Sequence, residues 1–361
     1  MKKLLIINAT ALKEGGALTI LQQCLYFLHK ANIHAYVFIA PNLNLSIPKN
    51  SVISLIPIQI RSAWQRLLWD GLGLKKWLTN EKITSYVLFS LQNTAVRIHS
   101  QCEQFVYIHQ ALPFHAKKWS FLGKQERRLA SYKYIYPVCM FLFSKKNTQY
   151  IVQTNWMKQA LIKRTKLREQ NVHIYRPTLL DIPDNQPKNL QKFSLFYPAN
   201  QALYKNHLLI IQAMALLKKD HPTLEIHTYF TLNHHESMHI QSLVKQLHLT
   251  RYVHFVGTLN ALEMAAYYRG CTGLLFPSYI ESFGLPLLEA AQLAKPMVVL
   301  NEPYAWEVIG DYAGAIFADN HIDKWKQAIL KLITSDYHLQ PYKPCFDKSW
   351  KALFEHMNQF L

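Results

Sequence analysis

L-L-I-I-N-A-T-A-L-K-E-G-G-A-L-T-I-L-Q-Q-C-L-Y-F-L-H-K-A-N-I-H-A-Y-V-F-I-A-P, residues 4–41, decides the fold. Its first four residues are a continuous apolar run, the mark of a strand buried on both faces. A polar loop, K-E-G-G at 13–16, follows. Residues 17–30 then carry apolar side chains at helical spacing, and A-Y-V-F-I-A-P at 35–41 reads as a second strand. A strand, a loop, a helix and a strand in that order imply a parallel sheet with crossover helices.

The same alternation continues outward. V-L-F-S (87–90), F-V-Y-I-H (105–109) and I-V-Q-T (151–154) read as further strands, with basic and aromatic helical segments between them. Residues 177–192 hold three prolines and little apolar periodicity, which suits an interdomain linker. The pattern then restarts. Strands are expected at 194–198, 224–230, 253–257, 273–277 and 297–300, and helices from His207 to Lys219, near 235–247, at 261–269 and at 322–333. The tail, K-S-W-K-A-L-F-E-H-M-N-Q-F-L (348–361), is amphipathic. The chain is thus expected to be α/β, with two Rossmann-like doubly wound domains facing a central cleft. The first spans 1–180 and the second 190–335, with a last helical segment at 336–361 packing back toward the first. Ligands of such sheets bind beyond the carboxyl ends of the strands, so the loops after strands are the ones to inspect.

Composition narrows the function. Of 361 residues, 50% are hydrophobic, which excludes a disordered chain. The net charge is +18, and residues 61–168 hold 19 Lys and Arg against Asp70, Glu81, Glu103 and Glu126, a balance of 19 − 4 = +15. A basic surface of that extent attracts an anion: a phosphorylated substrate, anionic lipid or nucleic acid. The five cysteines are scattered without a C-x-x-C pair, so neither a zinc site nor a disulfide framework is indicated and a reducing cytoplasm is expected. M-K-K-L-L-I-I-N-A-T has too short an apolar run for a secretory signal. Y-I-Y-P-V-C-M-F-L-F (134–143) is too short to cross a bilayer, which needs about 20 residues.

Chemistry gathers in Y-I-E-S-F-G-L-P-L-L-E-A, residues 279–290. Glu281 follows a strand, and Gly284 with Pro286 marks a helix start. The backbone amides near Phe283, Gly284 and Leu285 form an anion seat there, and Glu289 can accept hydrogen bonds from vicinal hydroxyls. A solvated loop acid and an ordinary helix-start glutamate account for the two residues equally well. A second candidate is Y-P-A-N-Q-A-L-Y-K-N-H (197–207), where Lys205 lies between a strand and a helix and can neutralise a phosphate. A third is the pair Gly15 and Gly16, which lets amides approach a diphosphate or acceptor. A fourth is His109, at a strand end.

E-S-F-G-L-P-L-L-E resembles the E-x7-E signature of retaining glycosyltransferases of the GT-B fold, family 4 (glycosyl transferases group 1). The resemblance covers most of the chain in layout and a few motifs in local sequence. It implies that Glu289 binds the ribose of a nucleotide and that Glu281 faces the donor sugar. Ser282, Phe283, Gly284 and Leu285 would meet the sugar and diphosphate, Lys205 the diphosphate, and His109 the donor sugar. The family usually carries an arginine where this chain has Asn200, and His207, Tyr204 or a basic residue of the first domain would have to replace it. No D-x-D stands at a strand end, so a metal-independent transfer with no cofactor is expected.

The implied donor is a nucleotide diphosphate sugar, moved with retention to an acceptor hydroxyl. A basic first domain suggests a lipid-linked saccharide acceptor in bacterial surface polysaccharide (lipopolysaccharide O-antigen or capsule) assembly, at the inner face of the cytoplasmic membrane. In 61–78, Trp64, Trp69 and Trp77 with Arg61, Arg66, Lys75 and Lys76 suit an interfacial helix or, equally, a helix buried in the core. A nucleotide-sugar epimerase of the same fold is the alternative enzyme. Nucleic-acid binding rests on charge alone, since no helix-turn-helix, RRM or zinc pattern is present, and no nucleic-acid partner is expected.

Overall fold

A computed structural model describes residues 3–361 apart from 44, 46, 47, 49, 50, 180, 236, 343, 345 and 347. Cys345 therefore lies outside the described residues, while Cys24, Cys102, Cys139 and Cys271 are free thiols. The chain divides into two compact units, Met1–Thr178 with Phe346–Leu361, and Leu179–Cys345.

The first unit runs β1 (Leu4–Ala9), α1 (Gly15–Lys30), β2 (Ala35–Ile39), β3 (Ile53–Pro57), α2 (Ala63–Leu68), a π-helical turn (Trp69–Gly73), α3 (Leu74–Asn80), β4 (Tyr86–Ser90), β5 (Glu103–Tyr107), α4 (Arg127–Tyr134), α5 (Tyr136–Phe141), β6 (Gln149–Val152), α6 (Asn155–Thr165) and β7 (Val172–Ile174). All strands are parallel, in the order β3-β2-β1-β4-β5-β6-β7. The continuous apolar runs are explained by burial on both faces. Leu5 and Ile7 of β1 face a core shared with Leu21, Leu25 and Leu28 of α1, whereas Ile6 faces Leu74, Leu78 and Leu88 on the other side. A helix at Trp350–Asn358 belongs to this unit. Its Trp350 stacks on Tyr107 at 5.3 Å and donates Nε1–H to Gln23 Oε1 at 2.8 Å.

The basic helical segment splits between the two readings. Trp69 and Trp77 pack on Phe38, at 5.4 and 4.9 Å between centroids, and so join the core. Trp64, Leu68 and Leu72 stay exposed.

The second unit runs β8 (Phe193–Tyr197), α7 (His207–Asp220), β9 (Ile226–Phe230), α8 (Met238–Gln246), β10 (Val253–Phe255), α9 (Ala261–Gly270), β11 (Gly273–Phe276), α10 (Leu285–Gln292), β12 (Met297–Leu300), α11 (Pro303–Ile309), β13 (Ala315–Ala318) and α12 (Ile322–Thr334). Its sheet is again parallel, in the order β10-β9-β8-β11-β12-β13. Among the described residues no helix is long and apolar enough to cross a membrane.

Several details differ from expectation, among them the strand read at 105–109, which is Glu103–Tyr107. Strands β3, β7 and β13 were not legible in the sequence. All three are edge strands, so one side lacks a neighbour and the apolar run is short or broken. The strand read at 151–154 is Gln149–Val152, and Thr154 takes the position that precedes α6 instead. The proline-rich linker is strapped to the second unit by hydrogen bonds. Lys188 N–H donates to Ala266 O (2.9 Å), Asn185 Nδ2 to Leu262 O (2.9 Å) and Arg269 Nη2 to Pro183 O (3.3 Å).

Gly270 makes that strap possible, since a Cβ there would lie 2.3 Å from the Lys188 carbonyl oxygen, whereas one at Gly16 would meet nothing within 4 Å. Thermal unfolding should show Gly270→Ala losing about 1–3 kcal/mol through overpacking. Gly16→Ala should stay within about 0.5 kcal/mol. Equal effects would mean that the strap does not need the glycine.

Candidate functional site

In the second unit β8 pairs directly with β11, so the loops that leave their carboxyl ends are neighbours. After β8 the chain makes one 3-10 turn, Leu203–Lys205, and Asn206 takes a left-handed conformation (φ 59°) that Asn tolerates better than most residues. Buried Tyr197 anchors the turn by donating its hydroxyl to Lys205 O at 2.6 Å. The loop after β11 is stitched to it. Tyr279 N–H donates to Tyr204 O (3.1 Å), and Asn206 Nδ2 reaches Pro277 O (3.4 Å). From α11, Tyr304 donates its hydroxyl to Ser278 O at 2.5 Å.

These constraints bring Lys205 Nζ onto Glu281 Oε1 in a tight ion pair. Each side chain is only 15% exposed, so the pair is mostly withdrawn from water. Burial works against the charge on Lys205, but Glu281 outweighs it and holds the amine above its ordinary range. Tyr204 lies beside the pair, with Lys205 Nζ 5.6 Å from its ring centroid.

Gly284 follows with φ 94°, where a Cβ would press on Leu287 and Tyr304 at 3.2 and 3.4 Å. Helix α10 begins at the next residue with Pro286 in its first turn. Phe283 is buried and Ser282 half-buried. Glu289 stands at the start of the second turn and accepts the Tyr268 hydroxyl at 2.6 Å. Burial pushes its carboxyl up, and the Tyr268 bond works against that.

Asn200 is exposed and folds its Oδ1 back onto Ala202 N–H (3.1 Å). His207, considered as a replacement phosphate contact, is corrected. It is 3% exposed, packs against Tyr197 and Phe230, and is pushed down to about 3 by burial and by Lys205. A neutral imidazole in that place is a core residue.

In the first unit, Gly15 and Gly16 are the first two residues of α1 rather than part of the preceding loop, and Gly15 has φ +56°. His109 lies two residues beyond β5. Its N–H donates to Asn93 Oδ1 (2.7 Å), and its Nε2 lies 3.0 Å from the Leu91 carbonyl. Burial holds it down at about 4. Sequence reading missed Asn93, Tyr268 and Tyr304. Each reaches the site residues from a different element, and no local motif marks such a contact.

The sign of the His207 shift predicts its pH dependence. An imidazole whose folded pKa lies below its unfolded value stabilises the fold above pH ~6.5 and loses that contribution as pH falls toward the folded value. Acidification from pH ~6.5 to ~3 should therefore cost roughly 3–5 kcal/mol more in the wild type than in His207→Leu. Parallel acid-unfolding curves for the two proteins would contradict the assignment.

Comparison with known proteins bears on this unit most directly. Residues 181–343 match the family model for glycosyl transferases group 1. D-inositol 3-phosphate glycosyltransferase of Arthrobacter sp. (strain FB24) is 26% identical over 132 residues, covering 36% of this chain and 31% of that protein. The chain thus matches about a third of the length of that curated relative. Among solved structures, WaaG, a glycosyltransferase involved in lipopolysaccharide biosynthesis, superposes with a TM-score of 0.68 at 15% identity, covering 92% of this chain and 90% of that one. HepE of Anabaena, solved in complex with UDP and glucose, gives 0.64 at 13% identity over the same shares. These likenesses establish the fold, and the family match falls on the unit that holds Lys205, Glu281 and Glu289. Residues 181–343 are a glycosyl transferases group 1 domain, within a chain whose two doubly wound domains have the GT-B fold.

Proposed function

We propose that the protein is a retaining glycosyltransferase of family 4 that takes a sugar from a nucleotide diphosphate sugar to an acceptor hydroxyl. The observation that carries this reading is the withdrawn Lys205–Glu281 pair at the carboxyl ends of two adjacent strands, followed eight residues on by Glu289. Without donor, the two charges neutralise each other. An arriving diphosphate offers Lys205 two further anionic groups, and Glu281 is released to accept hydrogen bonds from the donor sugar. Glu289, with Tyr268 already on Oε2, keeps acceptor capacity for ribose hydroxyls.

Asn200, Ser282 and the Phe283–Gly284–Leu285 backbone complete the donor contacts. In the first unit, His109 positions the sugar as a neutral imidazole, and Gly15 and Gly16 let backbone amides meet an anion. The bond from the anomeric carbon to the diphosphate oxygen breaks while the acceptor oxygen bonds to that carbon from the same face. The acceptor proton goes to the departing phosphate. Lys205 and backbone amides stabilise the charge on the leaving group, a preorganised electrostatic device that uses no metal.

The name of WaaG and the UDP complex of HepE support a nucleotide-sugar donor and a role in surface polysaccharide assembly. The surface of the first unit supports a lipid-linked acceptor and docking at the inner membrane face. Trp64, Leu68 and Leu72 are exposed, as are Ile135, Val138 and Leu142 of the α5 region. Gly71 against Phe143 brings these two segments together, in the most basic part of the chain.

Two measurements test the reading. A thermal-shift panel of UDP-, GDP-, dTDP- and CMP-sugars should find one nucleotide that stabilises the wild type by roughly 2.7 kcal/mol at about 100 times its Kd. It should not stabilise Glu289→Ala. No shift with any donor, or an equal shift in the variant, would sink the proposal. In co-sedimentation with phosphatidylglycerol vesicles, the wild type should bind and the triple variant Trp64→Ser, Leu68→Ser, Leu72→Ser should bind far less. Equal binding would remove the membrane from the account.

A further inference from the structure

Asp70 lies in the π-helical turn of the first unit and is 3% exposed. An ionised carboxylate in such a place is costly unless fully hydrogen-bonded, and no step described above uses it. Its partners come from β1 and from the loop after β4. Oδ1 accepts from Asn8 Nδ2 at 2.9 Å and from Gln92 Nε2 at 2.8 Å, and Oδ2 accepts from Thr94 Oγ1 at 2.8 Å. Asn8 belongs to β1, while Gln92 and Thr94 sit in the loop after β4.

Two branches lead on from there. Gln92 Oε1 accepts from Thr10 Oγ1 (3.0 Å) and Ala11 N–H (3.1 Å), at the head of the loop that leads to Gly15 and Gly16. Asn93 stands between the two residues that Asp70 grips. Its Oδ1 accepts from the backbone N–H of His109 (2.7 Å) and of Gln110 (2.9 Å), and its Nδ2 lies 3.2 Å from His109 Nε2. The Leu91 carbonyl lies 3.0 Å from the same ring nitrogen, so Nε2 is held from two sides by residues of the loop after β4.

We infer that Asp70 is a positioning residue: one buried carboxylate holds the Gln92–Thr94 loop, and through it sets both the loop before Gly15 and the ring of His109. A π-helical turn is a natural place for such a device, since these turns re-aim single residues and recur at functional sites. Burial pushes Asp70 up to about 6, while the donors from Thr94, Asn8 and Gln92 and the charge of Arg66 work against that. At neutral pH it therefore remains the all-acceptor group that three donors require. Tyr136, whose hydroxyl donates to Gln92 O at 3.3 Å, closes the network from α5.

The inference rests on the proposed glycosyl transfer for what His109 does, and it is tested on the full-length chain by activity and by a signal independent of activity. Asp70→Ala should lower kcat by about a hundredfold, the cost of misplacing a positioned group by about 1 Å, and leave the donor KM unchanged. Asp70→Asn should retain most activity, because its oxygen still serves Asn8 and Gln92 and its amide can donate to Thr94. Asn93→Ala should reproduce the kcat loss from the far end of the chain of bonds. In imidazole 15N NMR, with His109 assigned through His109→Gln, the wild type should show one set of His109 ring signals, and Asp70→Ala and Asn93→Ala should both shift or broaden it.

Wild-type kcat and wild-type His109 ring signals in a folded Asp70→Ala would overturn the inference. So would the same result in Asn93→Ala, which decides the matter if Asp70→Ala does not fold. If no donor is turned over at all, the transferase reading fails, and the NMR signal still decides whether Asp70 sets His109.

Discussion

Parallel pairing is the constraint on which the rest of this molecule depends. In each unit every strand points the same way, so all carboxyl ends, with their loops, emerge along one edge of the sheet. Adjacency within the sheet then decides which loops meet. Because β8 neighbours β11, Lys205 and Glu281 come together across 76 positions of sequence. Because β4 lies between β1 and β5, the loop holding Gln92 and Asn93 can touch both Thr10 and His109. Continuous apolar strands buried on both faces secure that order, and the candidate site residues of the second unit gather beyond their carboxyl ends, where they can find one another.

The same separation explains how charges survive inside. A lone buried charge is expensive, and removing one partner of a buried pair exposes that expense. Lys205 has Glu281, and Glu289 has the Tyr268 hydroxyl. Asp70 has three donors, so each buried carboxylate or amine of the two networks is matched. Such pairing is also a poised state. A ligand that offers a better partner can take one member of a pair and free the other.

Much of this was legible in the sequence, for identifiable reasons. The apolar runs Leu4–Ile7 and Met297–Leu300 read as strands covered on both sides, and Gly284 with Pro286 marked where α10 starts. The candidate acids and Lys205 were visible because local spacing placed them after strands. What escaped depends on contacts between distant elements. The Lys205–Glu281 pair needs the β8–β11 register, and the core role of His207 needs Tyr197 and Phe230 around it. Strands β3, β7 and β13 lie at sheet edges and carry short or broken apolar runs, whereas the edge strand β10 was still read within 253–257. Trp64, Trp69 and Trp77 share one amphipathic segment, yet Trp69 and Trp77 reach Phe38 while Trp64 stays exposed, a division that tertiary packing decides.

The central claim is that Lys205, paired with Glu281, is the seat of a nucleotide diphosphate. The most direct test is the dissociation constant for UDP and for GDP, measured by titration calorimetry on the wild type, Lys205→Met and Glu281→Gln. For the preferred nucleotide the account predicts binding at least about tenfold weaker in Lys205→Met, a loss of about 1.4 kcal/mol. Glu281→Gln, which no longer competes for the amine, should bind no more weakly than the wild type. Unchanged affinity in a folded Lys205→Met would contradict the claim and leave the ion pair a structural feature of the second unit alone.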